Sequence, residues 1–204
     1  MAIIVIEGLS LTGKTTLCHQ LIQHFSSQGR KCIYCHHGHL TDNSIGEAFY
    51  QKAISAYNSW AVEDAVRWSV LSLQQDYMAY LSNPSMYSDS ELVFLDRHFT
   101  SQRAVAEHFK VDIEINFQRP LTYFEFLITA RFEDRLARAD KRKDNHSRLT
   151  DYTLSSSIIH ADFDNLYKSH ALSEGTPPEH IIDNSNFTAF QKMIPLIDKL
   201  LLGE

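Results

Sequence analysis

Ile3-Ile4-Val5-Ile6-Glu7-Gly8-Leu9-Ser10-Leu11-Thr12-Gly13-Lys14-Thr15 decides how the rest of the chain is read. A short apolar run, then the spacing G-x-x-x-x-G-K-[ST], then apolar residues at helical intervals give a strand, a loop and a helix in that order. The two glycines permit backbone angles closed to other residues, so successive N–H groups can turn inward around a phosphate while the next helix points its positive end at it. In such a loop Lys14 reaches the β- and γ-phosphates of a nucleotide and the Thr15 hydroxyl meets Mg²⁺. The positions expected to face ATP are therefore Gly8, Leu9, Ser10, Leu11, Thr12, Gly13, Lys14, Thr15 and Thr16. A chance match on a glycine-containing turn is the competing reading, and the strand-helix frame weighs against it.

The chain has 204 residues, 44% of them hydrophobic, with no Pro/Gly/Ser-rich linker to divide it, so a single domain over 1–204 is expected. A formal charge of −6 argues against general affinity for polymeric nucleic acid or an anionic membrane, both of which require a basic field. The start of the chain enters the first strand without a charged leader and cleavage site, and no apolar stretch approaches the roughly 18 residues of a membrane span. Three cysteines give no disulfide framework. A cytoplasmic protein is expected.

Beyond the loop, Leu17, Leu21, Ile22 and Phe25 mark a first helix with Gly29 at its stop, and 31–35 reads as a second strand. Residues 45–57 and 62–81 are two helices or one with a break. A polar loop over 82–90 leads to the apolar run Leu92-Val93-Phe94-Leu95, short enough for a buried parallel strand. Next come a helix over 100–109, an ambiguous stretch at 111–116, a strand over 123–129 and a charged helix over 133–142. A further amphipathic helix carries Ile158, Phe163 and Leu166, Gly175-Thr176-Pro177-Pro178 ends it, and a last strand at 180–183 precedes a closing helix that Pro195 is expected to kink. Strands alternating with helices imply an α/β fold whose parallel sheet is covered on both faces.

The third strand ends in Asp96-Arg97. An acid at the carboxyl edge of an open sheet lies where ligands bind, so Asp96 is a candidate to hold Mg²⁺ or to accept a proton, and Arg97 to hold an anion. The competing reading is a capping acid with a solvent-facing arginine. Ile6-Glu7-Gly8 leading into Gly13-Lys14-Thr15-Thr16, Asp96-Arg97 followed by an aromatic residue and Ser101, and Ala130-Arg131-Phe132-Glu133-Asp134-Arg135-Leu136-Ala137-Arg138 together resemble the thymidylate kinase and deoxynucleoside kinase superfamily. That resemblance implies a three-layer P-loop kinase fold with strand order 2-3-1-4-5 and a basic lid, placed at about 135–150.

Phosphoryl transfer spreads negative charge that a closing lid neutralises, which suits Arg135, Arg138 and Arg142, three and four apart on one helical face, with Lys141 and Lys143 beside them. A solvated helix paired with its own acids is the alternative, and spacing does not choose which arginine meets phosphate. The acceptor is left open between a nucleoside and a nucleoside monophosphate. Thymidylate kinases typically carry Arg-Glu-Pro after the second strand, whereas this chain has Cys35-His36-His37-Gly38-His39 there. His36, His37, Arg67, Gln74, Asp96 and Arg97 are the candidate acceptor contacts, with Arg67 and Gln74 equally readable as exposed helix positions.

Cys32-Ile33-Tyr34-Cys35-His36 matches a haem attachment pattern, but strand residues three apart face opposite sides, so neither haem nor zinc is expected. Two readings rival the kinase of nucleosides or their monophosphates. One is a kinase of another small-molecule hydroxyl. The other is a regulatory NTP-binding module, which lacks the D-x-x-G and N/T-K-x-D patterns of GTPase switches. A homodimer through the long helix bearing Trp68 stands open against a core role for that helix.

Overall fold

Every residue of β1 (Ala2–Glu7) is buried, because the strand lies at the centre of a sheet and both of its faces are covered. The computed structural model describes residues 1–36, 39–41, 44–83, 87, 90–115, 117–120, 122–142 and 147–203. β2 (Cys32–Cys35), β3 (Leu92–Asp96), β4 (Tyr123–Thr129) and β5 (Ile181–Asp183) join β1 in one parallel sheet of order β2-β3-β1-β4-β5. This is the order expected from the sequence.

Alternate residues of β1 serve opposite layers. Ile4 and Ile6 pack with Leu17, Leu21 and Phe25 of α1 (Lys14–Ser27) and with Met193 and Ile197 of α8 (Ala189–Leu202). Ile3 and Val5 face Tyr77 and Tyr80 of α3 (Val62–Ser82). On that second side Leu127 of β4 meets Val66 and Val70 of α3, Val105 of α4 (Phe99–His108) and Phe163 of α7 (Ser157–Ser173). Each fully buried aliphatic side chain contributes about 1.5–3 kcal/mol, so this alternation supplies much of the driving force. The result is a three-layer α/β arrangement.

Several elements resolve open expectations. α2 (Ser44–Asn58) and α3 are separate helices, and Trp60 between them takes φ 63°, a left-handed angle that ends one helix before the next begins. Residues 111–115 form no regular element. α5 (Phe132–Lys141) is followed by α6 (Arg148–Leu154), a helix the sequence reading lacks; it is too short to show a period, and Ser147 caps it by accepting from the Thr150 N–H. α8 runs through Pro195 as one helix. Among the described residues no helix is long and apolar enough to cross a membrane.

Candidate active site

At the carboxyl edge of β1 the chain turns through residues 8–13 into α1. Gly8 has φ +133°, and a Cβ there would lie 2.1 Å from the Ile128 carbonyl oxygen of β4, so no side chain fits. Gly13 has φ +96°, and its Cβ would meet Asn184 Nδ2 at 2.9 Å. Each carbonyl from Gly8 to Thr12 is taken by a side-chain donor, and the Gly13 carbonyl by the Leu17 N–H. Arg97 Nη1 donates to Gly8 O at 3.0 Å, Lys14 Nζ to Leu9 O at 2.6 Å, and Arg135 Nε to Ser10 O at 2.8 Å. Arg138 Nη1 donates to Leu11 O at 3.0 Å and Asn184 Nδ2 to Thr12 O at 2.8 Å. A trans peptide sets its N–H opposite to its C=O, so carbonyls drawn to these donors direct the following N–H groups the other way. Among the described residues the N–H groups of 9–13 donate to no protein acceptor. No side chain caps the start of α1 at Gly13 either, which leaves donors and a positive helix end for an anion.

Asp96 ends β3, the strand beside β1, and its Oδ2 accepts hydrogen bonds from the Thr15 hydroxyl and, at 3.3 Å, from the Tyr34 hydroxyl. Burial pushes the Asp96 carboxyl up, but Lys14, Arg97 and the Thr15 hydroxyl outweigh it and hold it below the usual carboxylate range. Thr15 and an ionised Asp96, in contact, are a small oxygen donor set. It suits Mg²⁺, which keeps waters and substrate phosphates as its remaining ligands. Among the described residues no group of three or more His, Cys, Asp or Glu gathers around a metal position.

The Tyr34 hydroxyl also shares a hydrogen bond of 2.8 Å with His36 Nδ1. Burial, then the Asp96 charge, raise the Tyr34 pKa, so the phenol stays protonated. Lys14 is lowered to about 7, chiefly by burial and then by Arg97, against the pull of Asp96 and Glu7.

Glu7 is fully buried and fixes the start of α4. Its Oε1 accepts from the N–H groups of His98 at 2.7 Å and Ser101 at 3.2 Å, and its Oε2 accepts from the Ser101 hydroxyl. Burial raises its pKa further than those bonds lower it. Between β3 and α4, Arg97 takes φ 74°, a conformation costly for a non-glycine residue, and its own N–H donates to Ile6 O at 3.0 Å. The guanidinium also reaches Ser10 Oγ at 3.0 Å and Ser101 Oγ at 3.4 Å.

A cavity of about 270 Å³ opens beside Ser10 and Arg97, walled by α2, α3, α4, α6 and α7. The sequence candidates divide around it. Lys14, Thr15, Asp96 and Arg97 converge at the turn, and His36 lies on the Tyr34 side of Asp96. His37 lies outside the described residues, as does Lys143. Arg67 does not line the cavity; it is exposed and pairs with Glu63 at 2.9 Å. Gln74 donates to the Glu114 carbonyl at 3.1 Å instead. The cause is helical phase: α3 turns Ser69, Ser72 and Leu73 to the cavity, and positions 67 and 74 fall off that face.

The arginines of α5 share a side but not a depth. Arg135 is fully buried, and besides Ser10 O it bonds His160 Nδ1 at 2.8 Å and Thr153 Oγ1 at 2.8 Å. The turn itself and the α6–α7 pair thus take up its donors. Arg138 also grips the Asn184 carbonyl at 2.6 Å, and Arg142 is exposed at the end of the helix. Glu7, Tyr34 and Asn184 were missed as site-forming residues. The polar run Asp183-Asn184-Ser185 after the last strand was the available signal for Asn184. No family model matches the chain, and no curated protein matches it significantly.

Proposed function

We propose that this chain is an ATP- and Mg²⁺-dependent kinase of nucleosides or nucleoside monophosphates, resembling thymidylate kinase, with Asp96-Arg97 on the acceptor side. The observation that carries this reading is the turn at 8–13, whose carbonyls from Gly8 to Thr12 are held by side-chain donors while Thr15 bonds Asp96 across the β1–β3 edge. An anion seated there would meet backbone N–H groups, the start of α1 and Lys14.

In this reading Lys14 exchanges its bond to Leu9 O for the β- and γ-phosphates, and Thr15 and Asp96 hold the ion. A bound Mg²⁺ would neutralise charge on the transferring phosphoryl group. Arg97 sits between donor and cavity and orients the acceptor oxygen. The basic segment at about 135–150 acts as the lid, with Arg138 its link to the turn and Arg142 a further cation. Replacing Lys14 by alanine should lower ATP-dependent transfer by more than about a hundredfold, as loss of an electrostatic stabiliser does. Radiolabelled transfer assays over nucleosides, monophosphates and other alcohols measure this, and turnover near wild type would remove the assignment. A kinase of a non-nucleoside hydroxyl is the second reading, favoured by His36 standing where the related enzymes carry Arg-Glu-Pro.

A further inference from the structure

The cavity beside Arg97 has a charge pattern that separates the two acceptor classes. Among its described lining residues there is no carboxylate, and Arg97 is the one arginine or lysine. Its two histidines add no cation: burial, then Arg119, lower His98 to about 3, and burial lowers His39. Arg97 is itself engaged, with one Nη bonded to Gly8 O and Ser101 and the other to Ser10. A dianionic phosphate placed here would have to displace those bonds or stand uncompensated between apolar walls such as Leu73, Val105 and Phe163.

The cavity volume of about 270 Å³ is at the small end of ligand sites, which span roughly 300–1,000 Å³.

We propose that this cavity takes an uncharged, hydroxylated ring compound of nucleoside size, not a monophosphate, with its reacting hydroxyl at the Ser10–Arg97 end. The inference rests on the kinase reading for the chemistry and on the cavity alone for the binding. In the transfer, the acceptor oxygen forms a bond to the γ-phosphorus, the bond from that phosphorus to the bridging oxygen of ADP breaks, and the hydroxyl proton passes to water.

Two measurements test the proposal separately. Calorimetric titration of the whole chain, without ATP, with nucleosides and with their 5′-monophosphates should show binding of the uncharged members at least about tenfold tighter. Equal or tighter binding of monophosphates, or binding of neither, overturns the proposal whatever the activity. With ATP present, nucleoside phosphorylation should exceed monophosphate phosphorylation by about a hundredfold in kcat/KM, the factor expected where a pocket leaves a charge uncompensated. Preferred transfer to monophosphates overturns this inference but not the kinase reading; no transfer to any acceptor, with selective nucleoside binding intact, overturns the kinase reading but not this one.

Discussion

Lys14 sits among competing charges. Burial and Arg97 drive its pKa to about 7, while Asp96 and Glu7 resist. A phosphate chain entering the turn adds negative charge next to the ammonium and raises that pKa, so nucleotide binding must take up a proton wherever the free protein has lost one. Below about pH 6 Lys14 is already charged and affinity is flat. Above pH 7 affinity for ATP should fall by up to about tenfold per unit, with uptake of nearly one proton at pH 8. Titration calorimetry in buffers of different ionisation heat reads the uptake directly, and its absence at pH 8 would mean that Lys14 is charged in the free protein. The sequence made Lys14, Thr15 and Asp96 legible because each stands beside a strand end that local pattern reveals. It did not reveal the burial of Lys14 or the roles of Glu7 and Asn184, which depend on contacts between residues 7 and 98 or 12 and 184.

Spacing in α5 put Arg135, Arg138 and Arg142 on one face, and period alone could go no further, because depth is set by what packs against each turn. Arg135 meets α6 and α7, Arg138 meets the turn and the end of β5, and Arg142 lies beyond the last turn. α6 itself was invisible in the sequence, which is why Thr153, a partner of Arg135, was unforeseen. A buried arginine that bonds three elements is costly to remove, since Ser10 O and Thr153 lose a charged donor that water cannot replace. Arg135→Leu should therefore destabilise the protein by about 2–3 kcal/mol in urea titration, whereas Arg142→Ala should leave the midpoint unchanged. Equal, small effects from both would mean that α5 is a solvated helix and that the turn is held by other groups.

Across the whole molecule, the alternation of strands and helices made the parallel sheet legible, but it also disguised Glu125. In Tyr123-Phe124-Glu125-Phe126 the acid looks like the polar side of a half-exposed strand, yet β4 lies between β1 and β5 with helices over both faces, so Glu125 is 2% exposed. It pairs with Val5 in register and points to the same side as Glu7. Burial and then the Glu7 charge lift its pKa from 4.5 to about 7, against Arg119 at 3.1 Å and the Thr100 hydroxyl at 2.9 Å. An acid held more tightly protonated in the folded state contributes fully below the unfolded value near 4.5, and that contribution is lost as pH rises through about 7. The loss is on the order of 1–3 kcal/mol, or several degrees of Tm for a chain of this size. Glu125→Gln keeps the neutral shape at every pH, so relative to wild type its Tm should rise progressively from pH 5 to pH 7.5 and then hold steady. A difference that stays constant across that range would show that Glu125 ionises as an ordinary carboxyl and that Arg119, itself bridged to Glu174 at 3.0 Å, compensates it fully.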